Sequence, residues 1–196
     1  MKRKSVFAAV IIMMLLTNYM LGNDCVLVNG SFEADGKIDD LRLKEPNGWT
    51  DVNLPVDAGG GAKFGGWVLN EWKTDGNWSL TVFARQQVTF NINDKARVAQ
   101  YVYLTDVNAI WFDLKLETNN KPWDPNRCTV VLEIDNMPVW ESPSDKVYEN
   151  GPWQYLNQMY DVNTTYNDNG LHKLALILRI NVAGSWLTTH YANWDN

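Results

Sequence analysis

The sequence predicts an all-β chain: two antiparallel sheets packed face to face as a β-sandwich or jelly roll, with roughly 8 to 10 strands. Three observations carry this reading. Beyond Asn23 no helix-length stretch has apolar residues at the 3.6 period. The chain breaks instead into short runs rich in Val, Ile, Leu, Tyr and Trp, separated by Gly, Asn, Asp and Pro clusters. Several of those runs alternate apolar and polar residues, the period of a strand buried on one side.

Taken in order, CVLVNGSFE opens the series, NWSLTVFA follows the TDG turn, and QQVTFNI ends at NDK. RVAQYVYL leads through TDVNA into IWFDLKLET, where Ile110, Phe112, Leu114 and Leu116 share one face and Trp111, Asp113, Lys115 and Glu117 the other. CTVVLEID places Cys128, Val130, Leu132 and Ile134 together, and the NM step then turns into PVWES. HKLALILRINV gives the longest pattern: His172, Leu174, Leu176, Leu178, Ile180 and Val182 against Lys173, Ala175, Ile177, Arg179 and Asn181. The Gly-rich DAGGGAKFGG reads as a long flexible loop within one domain, because strands on both sides of it are needed for one sandwich.

The N-terminus has a different character. MKRK supplies a basic start and SVFAAVIIMMLLTNYML an uncharged apolar stretch, the layout of a secretory signal. A retained spanning helix would need roughly 20 predominantly apolar residues. The expected division is residues 1–23 as signal peptide and 24–196 as a single β-sandwich domain, secreted or at the cell surface. Removing Lys2, Arg3 and Lys4 from 17 basic residues leaves 14 against 23 acidic ones, a net charge of −9. Such a surface repels nucleic acid and anionic membrane, so neither is an expected partner of the mature form. Cys25 and Cys128 can form one disulfide in an exported chain, or stay as two thiols with Cys128 buried in a strand.

Catalytic signatures are missing. There is no Gly-x-Ser-x-Gly elbow, no His-Glu-x-x-His, and GGGAKFGG lacks the Gly-Lys-Ser/Thr ending of a phosphate loop. Glycoside hydrolysis needs a facing pair of carboxylates. The acids are plentiful, Glu71, Asp75, Glu117, Asp124 and Glu141 among them, but no motif selects a pair. The expectation is a protein that is not an enzyme.

Ten tryptophans are the more informative feature. A flat exposed ring offers a face on which a pyranose lies. Trp67, Trp72, Trp123, Trp153 and Trp186 fall in segments that read as loops. Trp123 stands between prolines that stiffen its loop, beside Asp124, Asn126 and Arg127, whose side chains suit sugar hydroxyls. The expected ligand-binding set is Trp72, Trp123, Asp124, Arg127, Trp153 and Trp186. A second surface is the non-core face of the sheet, where Tyr101, Tyr103, Trp111, Asp113, Lys115, Glu133 and Arg179 line up if their strands are neighbours. Solvation with cross-strand ion pairs is the preferred reading of that face.

The order LVNGSFE, GW, GNWSLTV, ARVAQYVYL, IWFDLKL, VVLEIDNMPVW, GLHKLALILRI and YANWDN resembles the galactose-binding-like jelly-roll superfamily, which includes many carbohydrate-binding modules of exported bacterial proteins. The resemblance spans Cys25 to Asn196. It implies a polysaccharide or glycoconjugate partner, with a structural cell-surface or matrix domain as the alternative and a polysaccharide lyase or glycoside hydrolase behind both. It also implies a structural calcium held by Glu33 and Asp195, with backbone carbonyls completing a shell of 6 to 8 oxygens, roughly. In the family, apolar alternation continues after WDN. Here the last strand reads as cut short, which leaves room for further domains beyond Asn196.

Overall fold

The structure, a computed structural model, describes residues 27, 30–57, 60–70, 72–74, 76–119, 123–144, 153–162 and 164–195. The expected signal peptide, Cys25 and most of the CVLV run lie outside the described residues. The described residues form twelve strands: β1 (Asp51–Asn53), β2 (Phe64–Leu69), β3 (Ser79–Ala84), β4 (Thr89–Phe90), β5 (Lys95–Tyr103), β6 (Ala109–Thr118), β7 (Cys128–Ile134), β8 (Met137–Glu141), β9 (Trp153–Asp161), β10 (Leu171–Ile180), β11 (Gly184–Ser185) and β12 (His190–Asp195). Apart from one 3-10 turn at Thr164–Tyr166, no helix is present among the described residues.

Two five-stranded sheets face each other, both antiparallel. The front sheet runs β1-β5-β10-β7-β8 and the back sheet β2-β3-β12-β6-β9, with β11-β4 as a two-stranded ribbon. This is the all-β sandwich that the alternating pattern predicts. The core lies between the sheets. Ile110, Phe112, Leu114 and Leu116 meet Leu174, Leu176, Leu178 and Ile180 there, with Cys128, Val130, Leu132 and Ile134 beside them, all buried. Cys128 is a free thiol in this core, and burial pushes its pKa well up.

The sequence reading needs three corrections here. First, the Gly-rich stretch is not all loop, since Phe64–Leu69 forms β2 and pairs with β3 from Phe64↔Ala84 to Leu69↔Ser79. Gly65 and Gly66 serve close packing, not turning: a Cβ at Gly65 would sit 2.3 Å from Phe83 Cζ, and one at Gly66 2.6 Å from Leu41 Cδ1. Second, the β7–β8 hairpin turns at Asp135-Asn136, not at Asn136-Met137. Both turn residues take positive φ, 52° and 66°, as a two-residue type I′ turn requires. Third, Ala175 and Ile177 do not face solvent although they oppose the core-facing residues of β10. They are buried with Ala99 and Val131 in a small cluster on the outer side of the front sheet. The registers Ala175↔Ala99 and Ile177↔Val131 bring these four together.

The closing HYANWDN run is a central strand. β12 pairs with β3 on one side and, from His190↔Thr118 to Asp195↔Asp113, with β6 on the other. Trp194 points into the core, 2% exposed.

A Gly65→Ala substitution forces Phe83 or the β2 backbone to move, so it should cost about 1–3 kcal/mol in urea unfolding. Wild-type stability in that variant would mean that Phe83 does not lie over Gly65.

Candidate functional site

Four of the residues singled out in the sequence do gather in one place. Trp123, Asp124 and Arg127 precede β7, and Trp186 follows the short β11, so both segments arrive beside the start of β12. Around His190 the rings of Trp123 and Trp186 stand edge-on at 5.4 and 5.2 Å, and the Arg127 guanidinium lies 5.7 Å from the Trp186 ring centre. Arg127 Nε donates to Asp124 Oδ2 at 3.1 Å, while Asp124 Oδ1 accepts the Asn126 amide at 3.0 Å.

The expected exposure is absent, however. Trp123 and Trp186 are 2% and 4% exposed, so neither presents a face to a sugar. Each ring hides more apolar area as a plug over the end of the core than it would on a loop tip, and Phe90 packs on Trp186 at 4.7 Å. Burial, helped by the charge of Arg127, brings the His190 pKa down to about 4, which keeps the ring neutral among its aromatic neighbours. Trp72 is half-buried in the segment after β2, and Trp67 belongs to β2 itself. Trp153 begins β9, and its side chain lies outside the described residues.

Glu33 and Asp195 both grip the segment between β2 and β3. Glu33 Oε1 accepts the amides of Asn77 at 2.6 Å and Trp78 at 2.7 Å. Asp195 Oδ2 accepts the Thr74 amide and, at 3.2 Å, the Thr74 hydroxyl. Burial raises the Glu33 pKa, but the two amides outweigh it and the carboxyl titrates below its ordinary value. Gly76 takes φ 63°, and a Cβ there would come within 2.3 Å of Glu33 Oε1. Glu33 Oε1 and Asp195 Oδ2 thus face N–H donors, the reverse of the oxygen shell that calcium takes. That arrangement does not fit an ion bridging the two acids. Among the described residues no group of three or more His, Cys, Asp or Glu is placed to hold a metal.

The outer face of the front sheet carries a row of paired charged side chains. The second surface read from the sequence divides in two, because Trp111, Asp113 and Lys115 sit in β6 of the back sheet, whereas Tyr101, Tyr103, Glu133 and Arg179 sit in β5, β7 and β10 of the front sheet. On the front sheet, Arg97 donates to Asp51 at 2.8 Å and Lys173 to the same carboxylate at 3.3 Å. Lys95 reaches both oxygens of Glu133 at 3.0 and 3.2 Å, and Arg179 makes a two-pronged pair with Glu141 at 2.9 and 3.0 Å. These pairs lie over the buried Ala99, Val131, Ala175 and Ile177, so the aliphatic stems cover them, with Glu133 buried and the other heads partly exposed. Burial raises the pKa of Asp51, but hydrogen bonds from Arg97 and Lys173 bring it below the ordinary value. Beside this row Tyr101 and Tyr103 project from alternate positions of β5, 56% and 61% exposed.

At the hairpin end of the same sheet, His172 is held between two acids. Nδ1 lies 2.7 Å from Asp135 Oδ2 and Nε2 lies 3.0 Å from Asp168 Oδ1, with the Tyr166 ring edge-on at 5.4 Å. Asp135 also accepts the Lys173 amide at 2.8 Å, which ties the turn to β10.

No family model and no curated protein matches the chain. Among solved structures it is similar to a cyclase from Fischerella sp. TAU in complex with 4-(1H-indol-3-yl)butan-2-one, at 11% identity and a TM-score of 0.47, covering 87% of this chain and 95% of that one. It is similar also to Caldicellulosiruptor saccharolyticus CBM27-1 in complex with mannohexaose, at 11% identity and a TM-score of 0.43, covering 76% of this chain and 84% of that one. A third likeness is to arabinose-bound MgGH51 α-L-arabinofuranosidase, at 9% identity and a TM-score of 0.40, covering 87% of this chain but 26% of that one. Likenesses this distant carry no argument about function. The two-sheet all-β architecture itself is of the kind that the resemblance to galactose-binding-like domains implies.

The His172 clamp gives a pH signature. The hydrogen bond to Asp135, above all, raises the His172 pKa from 6.5 against the cost of burial. Its contribution is therefore complete below about pH 6.5 and is lost as pH rises through the raised folded value. Asp135 and Asp168 are depressed, so theirs is present above about pH 4 and lost as pH falls. The urea midpoint of wild type should exceed that of His172→Gln by more at about pH 6 than at about pH 9. An equal gap at both pH values would remove the charged clamp.

Proposed function

We propose that this chain is a secreted, non-catalytic carbohydrate-binding domain whose glycan lies across the outer face of the front sheet. The observation that carries the reading is the exposed pair Tyr101 and Tyr103 beside a row of charged heads already fixed by their own ion pairs. Tyrosine faces accept the C–H side of a sugar ring, and residues two apart on a strand space two rings along one direction. Guanidinium, ammonium and carboxylate groups held in place meet hydroxyls without first losing side-chain freedom. The excess of acidic residues favours a neutral polysaccharide over a polyanion. Binding is favoured over hydrolysis because Asp51, Glu133 and Glu141 are each paired with a base on this face, whereas a general acid needs a carboxyl that keeps its proton.

A panel of soluble neutral polysaccharides in affinity electrophoresis, followed by calorimetry on the best, tests this. Tyr101→Ala and Tyr103→Ala should each weaken binding by about tenfold, roughly 1.4 kcal/mol, with the melting midpoint unchanged. If no polysaccharide retards the wild-type protein, the reading fails. The alternative, a structural surface domain without sugar affinity, then stands; the burial of Trp123 and Trp186 is the observation in its favour.

The calcium implied by the resemblance belongs to the same proposal in altered form: direct N–H clamping by Glu33 and Asp195 does the work of the ion. A chelator should leave the melting midpoint unchanged, while Glu33→Gln should lower it. A midpoint that falls with chelator would bring the ion back, since a ligand of the folded state must stabilise it.

A further inference from the structure

A cavity of about 490 Å³ lies between the two sheets. Leu132, Leu174 and Leu176 line it from the front sheet and Phe112 and Trp194 from the back sheet, with Phe32 and Trp49 also in its wall. Each of these is at most 7% exposed, while the half-buried Gly30, Ser31 and Ala109 lie where the space opens to the surface, away from the outer face that carries Tyr101 and Tyr103. Trp111, 50% exposed, marks its rim.

We infer that this cavity is a binding site for a neutral, ring-bearing small molecule. Its volume falls within the range of about 300–1,000 Å³ of small-molecule pockets. The walls determine the class of occupant. Phe32 stacks on Trp49 at 5.2 Å, and Phe112 packs against Trp194 at 5.4 Å and edge-on against Trp140 at 4.9 Å, so flat rings form much of the lining and suit a flat guest. No Lys, Arg or His is among the described lining residues, and Asp195 is the one acid there. An anionic molecule would lose its hydration without meeting a cation, whereas a neutral one pays no such penalty.

The test uses the full chain with 2-naphthol and 2-naphthoate, which share a ring system and differ in charge. Melting curves and calorimetry should show 2-naphthol raising the midpoint and releasing heat on binding, and 2-naphthoate doing neither. Leu174→Phe and Leu176→Phe fill the cavity, so either should raise the midpoint of the free protein and abolish the 2-naphthol shift. Tyr101→Ala should leave that shift intact, which separates this site from the glycan face. No response of the wild-type protein to 2-naphthol overturns the inference whether or not the filled variants fold, and so does equal binding of both probes.

Discussion

Strand β10 is buried on both of its faces, and much of the molecule follows from that. Its even-numbered residues from Leu174 to Ile180 build the core, and its odd-numbered Ala175 and Ile177 need cover on the opposite side. No third layer is present among the described residues. The cover comes from Lys95, Arg97, Lys173 and Arg179, laid flat by pairing with acids on neighbouring strands. Single ion pairs of this exposure contribute little to stability. Their consequence is order: small residues beneath and partners on either side leave each long side chain few alternatives, and a binding face needs that preorganisation.

Aromatic residues divide by where the strands leave room. Large rings in connecting segments, such as Trp123 and Trp186, fold down over the open end of the sandwich because the space between two sheets must be closed there. Tyr101 and Tyr103 lie on a strand yet stay exposed, because they stand past the end of β1, which pairs only with Arg97, Val98 and Ala99 of β5. Position along the sheet, not membership of a loop, decides which ring meets solvent.

That distinction explains what could be read from the sequence. The alternation in IWFDLKLET and HKLALILRINV reports directly which side chains enter the core, and the two-sheet class follows from such runs with turns between them. The nearness of Asp124 and Arg127 to Trp123 was legible from the sequence, but the approach of Trp186 and the burial of both rings were not, because they depend on which sheet end each connection crosses. β2 was hidden behind its glycines: GGWVL reads as flexible until Phe83 and Leu41 are known to press on Gly65 and Gly66. The division of the polar face between two sheets was invisible for a related reason, since Trp111 and Tyr101 have the same local pattern and differ only in sheet partners. The charge pairs of the front sheet become visible only through register, as in Asp51↔Ala99, which brings Asp51 within reach of both Arg97 and Lys173.

The position of β12 has a consequence for how the chain comes into being. Residues 190–195 are the seam of the back sheet, joining the β2-β3 half to the β6-β9 half. A chain emerging from the ribosome can form local hairpins early, but this sheet stays in two unjoined pieces until residues 190–195 are made. Pairings of that sequence separation are slow to close, and unpaired strand edges are prone to mispairing while they wait. The back sheet is therefore the last part of the sandwich that can close, because β12 is made after every strand that it joins.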